Sequence, residues 1–490
     1  MGRVAERRAP RPVTREGAVK ERRRTPGDGR PRTVGELRES GYRVLSVREE
    51  LRKNLISRIE CGDKIFPGII GFDETVIPQL ENAILAGQDL LLLGERGQAK
   101  SRIIRQLVNL LDEEVPFISR CEVVDNPFSP VCRACKDSVA GDGDAVEIEW
   151  MPRERRYGEK LATPDVSVAD LIGEIDPIKV AEGRYLSDEL TVHFGLIPRT
   201  NRGIFCINEL PDLPERIQVS LFNLMEERDI QIRGYRVMLP LDVYMVATAN
   251  PEDYTNRGRI ITPLKDRYGA QVRTHYPLDA EHETAIVDQE HRRFSDTSER
   301  VAVPRYMKEV IAEITRLARR SPEINQRSGV SVRVSITNYE TLLGSAFKRS
   351  LRHGEAACPR ISDLPGIQVS TAGKIELESV EEGREAKVVE DLIKKAVLEV
   401  FGRYFSVGEF DELLARFEEG LVVEVGGDVP SSAYVDQLGD LDGLGDAIQR
   451  LEPGDEPAPI ASSVEMVLAG LHLNRRLNRH AAGGTYRYSI

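Results

Sequence analysis

The chain is poor in the residues that would mark a secreted or membrane-embedded protein. Its 490 residues hold six cysteines, at 61, 121, 132, 135, 206 and 358. These are too sparse for a disulfide framework and read as reduced thiols. No apolar run approaches the roughly 18–20 residues of a membrane-spanning helix, and the first thirty residues lack the apolar block of a secretory signal. The expectation is a soluble cytoplasmic protein with no membrane partner. Of seven histidines, none sits in a nucleophile–base arrangement, so acyl-transfer chemistry of the serine or cysteine kind has no support.

The apolar fraction is 40%, ample for a core, and the length suggests two to four domains at roughly 100–200 residues each. Residues 1–34 carry 11 basic and 4 acidic side chains and almost nothing to bury, which reads as a disordered basic tail. Without it, 57 basic and 76 acidic residues leave a net charge of −19 on the body. That balance argues against nucleic acid as the main partner, except through the tail.

Order begins with a capping-box pattern at Thr33 and Glu36 and an N-terminal helical segment over 35–65. Leu90–Leu93, Val115–Ile118, Gly203–Ile207 and Val243–Ala249 are short apolar runs alternating with helical periodicity. That is the signature of a parallel sheet covered by helices, an α/β fold over 66–278. A loop-rich excursion over 121–160 interrupts it. A helical lid is expected over 279–354, and an extension passing from α/β to helical character over 355–423. A loosely ordered acidic linker over 424–460 and a last helix with a tail over 461–490 complete the expectation.

The strongest chemical signal runs from Leu90 through Gly94-Glu95-Arg96-Gly97-Gln98-Ala99-Lys100-Ser101 into a helix carrying Ile103, Ile104 and Leu107. Strand, glycine loop and helix in this order form a P-loop. Backbone N–H groups surround phosphate oxygens, Lys100 neutralises the outer phosphates, and Ser101 ligates Mg²⁺. Ala99 stands where the pattern has Gly, tolerable if the residue stays helical. A strand ending in Asn208-Glu209 occupies the Walker B position. Glu209 is placed to polarise water, whereas Asn208, where Asp is usual, reaches Mg²⁺ without a charge. Asn250, at the tip of the next strand, suits a sensor of the terminal phosphate. Arg267 on a turn can act as an arginine finger, and Arg333 offers a cation from the lid.

These residues resemble AAA+ ATPases, and within them the branch of magnesium chelatase subunit I and MoxR, over roughly 50–354. Phe66-Pro67-Gly68-Ile69-Ile70-Gly71 is similar to the segment that cradles adenine, which implies Ile70 and Gly71 as nucleotide contacts. Residues 171–176, 183–185 and 195–203 are similar to the insertion in the second helix of this branch. Residues 227–234 are similar to its hairpin before the sensor strand. The resemblance implies ATP and Mg²⁺ as cofactors and a homo-oligomeric, hexameric ring. It implies Lys100, Ser101 and Glu209 acting in cis and Arg267 in trans, Arg333 as second sensor, and a partner with a von Willebrand factor A (VWA) domain. The leading expectation is a ring motor that remodels a protein complex or drives metal insertion. A scaffold that binds ATP and barely hydrolyses it, motivated by Asn208, is the alternative. An AAA+ transcriptional regulator is another, although the Gly-Ala-Phe-Thr-Gly-Ala loop of such regulators is absent from the sequence.

Cys121, Cys132 and Cys135 share the excursion, and Cys132-x-x-Cys135 is a half-site for Zn²⁺. A fourth ligand is missing locally in the sequence. A reduced pair packed under the loop and redox chemistry stand beside zinc as alternatives.

Overall fold

The computed structural model describes residues 29–176, 189–227, 229–232, 235–250, 258–295, 300–378, 383–438, 444–482 and 485–490. Up to residue 273 the strands are β1 (Leu90–Leu93), β2 (Glu114–Ile118), β3 (Ile148–Pro152), β4 (Tyr157–Leu161), β5 (Gly173–Ile175), β6 (Val192–Phe194), β7 (Gly203–Asn208), β8 (Asp229–Ile232), β9 (Tyr235–Met238), β10 (Val243–Ala249) and β11 (Ala270–Arg273). Five of them form one sheet in the order β11-β1-β10-β7-β4, and every neighbouring pair is parallel.

Side-chain alternation divides the core between the two faces of this sheet. Leu90, Leu92, Ile204, Cys206 and Val246 pack with Ile103, Ile104 and Leu107 on one side. Leu91, Leu93, Phe205, Ile207 and Ala247 pack with Ile217 and Leu221 on the other. Strands buried on both faces must be apolar throughout, which is why these three read so plainly as runs. Each wholly buried Leu contributes about 1.5–3 kcal/mol over leaving it in water.

Two sheet expectations need correction. Val115–Ile118 lies in β2, which pairs antiparallel with β3 outside the central sheet. Both edge positions belong to strands the sequence did not announce: β11, paired parallel with β1, and β4, at the end of the span expected as an excursion, paired parallel with β7 so that Leu161 faces Asn208 in register. The sequence of β4, Tyr-Gly-Glu-Lys-Leu, is half-buried to exposed along its length. An edge strand need not be apolar, so nothing in the composition announced it.

The N-terminal segment is two helices, Val34–Glu39 and Val47–Cys61, rather than one. The second opens with a full capping box, Ser46 with Glu49. At the first, Thr33 accepts from Glu36 N as expected, but Glu36 accepts from Arg32 N. Residues 1–28 of the expected tail lie outside the described residues; the part from Arg30 is tied down. Arg32 O accepts from Ile148 N at 2.9 Å, and Pro31 O accepts from Trp150 Nε1 at 3.1 Å. A buried ion pair fixes the long helix to the entry of β4: Arg156 donates to both oxygens of Glu50 at 2.7 and 2.6 Å.

Beyond β11 come the helices Ala280–Glu290, Arg305–Ala318 and Arg333–His353. Helices Arg384–Tyr404, Asp411–Glu418, Ser431–Leu438, Gly445–Arg450 and Pro457–Leu473 follow. Strands β12 (Val423–Gly426), β13 (Asn478–Ala482) and β14 (Thr485–Ser489) form an antiparallel sheet in the order β12-β14-β13. The expected linker over 424–460 is therefore structured where it is described. Asp428, Asp436, Gly445, Asp446, Gly454, Asp455 and Glu456 are exposed, while Val425, Tyr434, Leu444, Ala447 and Ile448 are buried. The expected tail after the last helix is a hairpin, its residues alternating along Thr485-Tyr486-Arg487-Tyr488. Lid, extension, linker and tail share one apolar cluster running from Val287 through Leu342, Phe401 and Val467 to Tyr488.

Among the described residues no helix is long and apolar enough to cross a membrane.

Candidate nucleotide site

The loop between β1 and the helix Lys100–Gln106 is held from both sides. A Cβ on Gly94 would fall 1.9 Å from Thr274 Oγ1, at the end of β11, so only glycine lets the loop leave β1 here. Gly97 has φ +77 and would meet Ser331 Oγ at 2.0 Å. Gln98, a buried residue assigned to the loop without a specific task, braces it from inside. Its Oε1 accepts from Glu95 N at 3.0 Å and from Thr274 Oγ1 at 2.7 Å. Ala99 is not helical as expected: its φ of 55° and ψ of 11° are left-handed. That is the conformation glycine adopts freely and alanine holds at a cost of about 1–2 kcal/mol.

Lys100 is buried, and its Nζ donates to Gly94 O, to Glu95 O at 2.8 Å and to Asn250 Oδ1 at 2.9 Å. Asn250 Nδ2 in turn donates to Glu209 Oε2 at 3.0 Å. The P-loop lysine, the candidate sensor and the candidate base are thus joined through one amide. Glu209 sits at φ 55°, ψ 48°, just past β7, and its N–H donates to Thr248 Oγ1 at 3.0 Å. Ser101 is exposed on the first turn of the helix.

Asn208 has a neighbour the sequence did not suggest. Its Nδ2 donates at 2.6 Å to Glu159 Oε1, on the edge strand β4. Glu159 also accepts from Arg105 Nε and Nη2 at 3.0 Å each and from Tyr157 Oη at 2.9 Å. The Arg105 hydrogen bonds lead the causes holding its carboxyl below the usual range, with Tyr157, the charge of Arg105 and Asn208 adding to them against some loss from burial. The missed strand thus carries a missed site residue.

The segment before the P-loop is wedged between two helices. Gly71 has φ +78, and a Cβ there would come within 3.3 Å of His282 Cγ. Gly68 O accepts from Gln289 Nε2 at 2.9 Å, and Pro67 O from Gln106 Nε2 at 2.9 Å. Ile70, beside them, is half-buried. The lid closes the other side. Tyr276 Oη donates to Arg96 O at 3.0 Å, the Arg319 guanidinium lies 4.2 Å from the centre of the Tyr276 ring, and Arg319 is paired with the fully buried Glu283 at 2.7 Å. Glu95 stands against Gly329, whose Cβ would fall 2.5 Å from Glu95 Oε2.

Arg333, exposed, opens its helix two residues after Ser331, the residue facing Gly97. Arg267 is elsewhere: it pairs with Glu226 at 2.9 Å and lies 5.5 Å from the Phe222 ring, contacts on the helix Glu215–Glu227. The hairpin β8–β9 is present in the expected place, and β5 pairs with β6 within the expected insertion. Gly183-Arg184-Tyr185 lies outside the described residues.

The excursion brings its cysteines together and corrects the missing ligand. Sulfurs of Cys121, Cys132 and Cys135 and a carboxylate oxygen of Asp125 all lie within 4.8 Å of one another. His193 is not in this group; its ring faces Arg199. Hydrogen bonds from Cys132 and Cys135 push the Cys121 thiol down to about 3, while the other two thiols are pushed up, first by the same sharing.

Residues 148–268 match the family model of the AAA domain, dynein-related subfamily. Magnesium-chelatase subunit ChlI of Nostoc sp. (strain PCC 7120 / SAG 25.82 / UTEX 2576) is 27% identical over 238 residues, covering 46% of this chain and 58% of that protein. The chloroplastic ChlI of Oryza sativa subsp. indica is 27% identical over 246 residues, covering 46% of this chain and 52% of that protein. The chain thus spans little more than half the length of these relatives. A cryo-EM-based structure of the complex between subunits BchI and BchD of magnesium chelatase is 19% identical, covering 67% of this chain and 98% of that one, with a TM-score of 0.33. At that score the fold assignment rests on the strand order itself.

Proposed function

Because this chain carries an AAA+ ATPase module similar to magnesium chelatase subunit I, we propose that it is an ATP-hydrolysing ring motor dependent on Mg²⁺. In this reading it works in the cytoplasm as a homo-oligomer, in a hexameric ring, with a VWA-domain partner. Its work is the remodelling of a protein complex or the insertion of a metal or cofactor. The observation that carries the reading is the relay Lys100–Asn250–Glu209, one amide joining the phosphate-binding cation to the water-activating carboxylate.

The residues fit the nucleotide. Two glycines whose Cβ atoms would clash keep the loop open to backbone donors, and the exposed Ser101 hydroxyl stands ready as the Mg²⁺ ligand. ATP supplies the phosphoanhydride whose cleavage drives the cycle. Lys100 holds phosphate charge, Asn250 keeps Lys100 and Glu209 at fixed separation, and Glu209 takes the proton of the attacking water. Ile70 and Gly71 line the adenine side, and Arg333 couples the lid to the phosphates. Arg267, held by Glu226, serves a neighbouring subunit. Asn208 Oδ1, which accepts from Thr248 Oγ1 at 3.4 Å, would be the acceptor on the Mg²⁺ side, while Asn208 Nδ2 is held by Glu159, itself paired with Arg105.

A scaffold that binds ATP with little turnover is the second reading, favoured by Asn208 itself. Steady-state ATPase assays of the parent beside Lys100→Ala, Glu209→Gln and Arg267→Ala separate the two. The motor reading expects turnover in the parent and loss in all three. Nucleotide binding without any turnover that Glu209→Gln can abolish, at ring-forming concentrations, overturns it.

A further inference from the structure

The cysteine group lies outside the nucleotide site and has no part in the proposed cycle. Its sulfurs come from two places: Cys121 from the loop after β2, Cys132 and Cys135 from the start of the helix Arg133–Asp142. Asp125 bridges them. It is fully buried, its Oδ2 accepts from Val131 N at 3.1 Å and Cys132 N at 2.9 Å, and its Oδ1 is buried with no hydrogen-bond partner. A carboxylate oxygen left bare beside three thiols is chemistry awaiting a cation.

The spacing distinguishes a metal from a disulfide. Cys121 Sγ and Cys132 Sγ are 3.9 Å apart. A disulfide needs about 2.0 Å, whereas tetrahedral ligation at about 2.3 Å per Zn–S bond separates sulfurs by about 3.8 Å. Soft thiolates select against Mg²⁺ and Ca²⁺, which take oxygen ligands. The shell around the sulfurs is also the one a thiolate site requires. Cys132 Sγ accepts from Cys135 N at 3.4 Å, and the Cys-x-x-Cys pair sits at a helix N-terminus.

We infer that Cys121, Asp125, Cys132 and Cys135 form a structural Zn²⁺ site with all four positions supplied by this chain. Zinc binding displaces the thiol protons, so three thiolates and one carboxylate enclose the ion with no position left for a substrate. The three cysteines line a cavity of about 280 Å³ together with Leu190, Val192 and Phe194. The ion therefore staples the excursion beneath the β5–β6 insertion, and its role is to fix that platform rather than to turn over.

The test uses the full chain purified under reducing conditions, with metal content measured by mass spectrometry and ATPase activity set aside. Zinc equimolar with protein is expected, retained in Cys61→Ser and lost in Cys135→Ser. In Asp125→Asn, release to a chelator should be roughly ten- to hundredfold faster. Reconstitution with Co²⁺ should give the visible bands of a tetrahedral thiolate complex. Alkylation with peptide mapping serves if a variant fails to fold. In the parent, exposed Cys61 should react at once, and Cys121, Cys132 and Cys135 only as zinc is chelated. Absence of zinc together with free alkylation of the three, a Cys121–Cys132 disulfide, or zinc undiminished in Cys135→Ser overturns the inference.

Discussion

Asn250 stands between Lys100 and Glu209, accepting from the first at 2.9 Å and donating to the second at 3.0 Å. Removing the amide should leave nucleotide affinity largely intact, because Lys100 keeps its loop partners. Turnover should fall about a hundredfold, the scale for losing one positioned polar group. Parallel measurements of kcat and of nucleotide Kd in Asn250→Ala check this; equal losses in both would assign Asn250 to binding alone.

Asn208→Asp should not simply improve the Mg²⁺ site. It would set a second carboxylate against Glu159, where the amide now donates at 2.6 Å, and like charges so close cannot both ionise without cost. The expected outcome is a lowered melting temperature in the single variant and recovery in Asn208→Asp with Glu159→Gln. Mg²⁺ titrations of nucleotide binding should show tighter Mg²⁺ dependence only in the double variant.

Glu159 also carries a pH signature. Its folded-state pKa is depressed, chiefly by hydrogen bonds from Arg105. Its stabilising contribution is therefore present above the unfolded carboxylate pKa, about 4.3, and is lost as pH falls through the lower folded value. Thermal melts from pH 7 downward should show Arg105→Ala losing less stability with acid than the parent does.

Ala99→Gly relieves a left-handed alanine. Against the extra chain entropy of glycine, a net gain of about 0.5–1 kcal/mol is expected, read as a higher melting temperature with the P-loop otherwise unchanged.

Arg319→Ala removes both the partner of buried Glu283 and the cation over Tyr276. A loss of about 3–5 kcal/mol is expected for an orphaned buried charge, and Arg319→Ala with Glu283→Gln should recover part of it. Denaturant melts of both variants check the pair.

The legible parts of this molecule were those where burial leaves composition no freedom. Strands β1, β7 and β10 are apolar on both faces and stood out as runs, and the P-loop followed from strand, glycine and helix in sequence. Edge strands β4 and β11 had no such constraint, so Glu159 stayed hidden, and β2, whose Val115 and Phe117 pack with Val124 and Met151 in a small cluster, passed for a strand of the central sheet. Asp125 was invisible for another reason: it is one acid among 80, and only folding sets it beside Cys132. Ala99 misled because its backbone angle is imposed by the loop, not by its own preference.

The single apolar cluster running from Val287 to Tyr488 turns the lid into one end of a lever. Packed interiors transmit displacement rather than absorbing it. A displacement begun where Ser331 packs on Gly97 would therefore reach the β12–β14–β13 sheet through one continuous interior, which makes that sheet the place to look for movement when nucleotide binds.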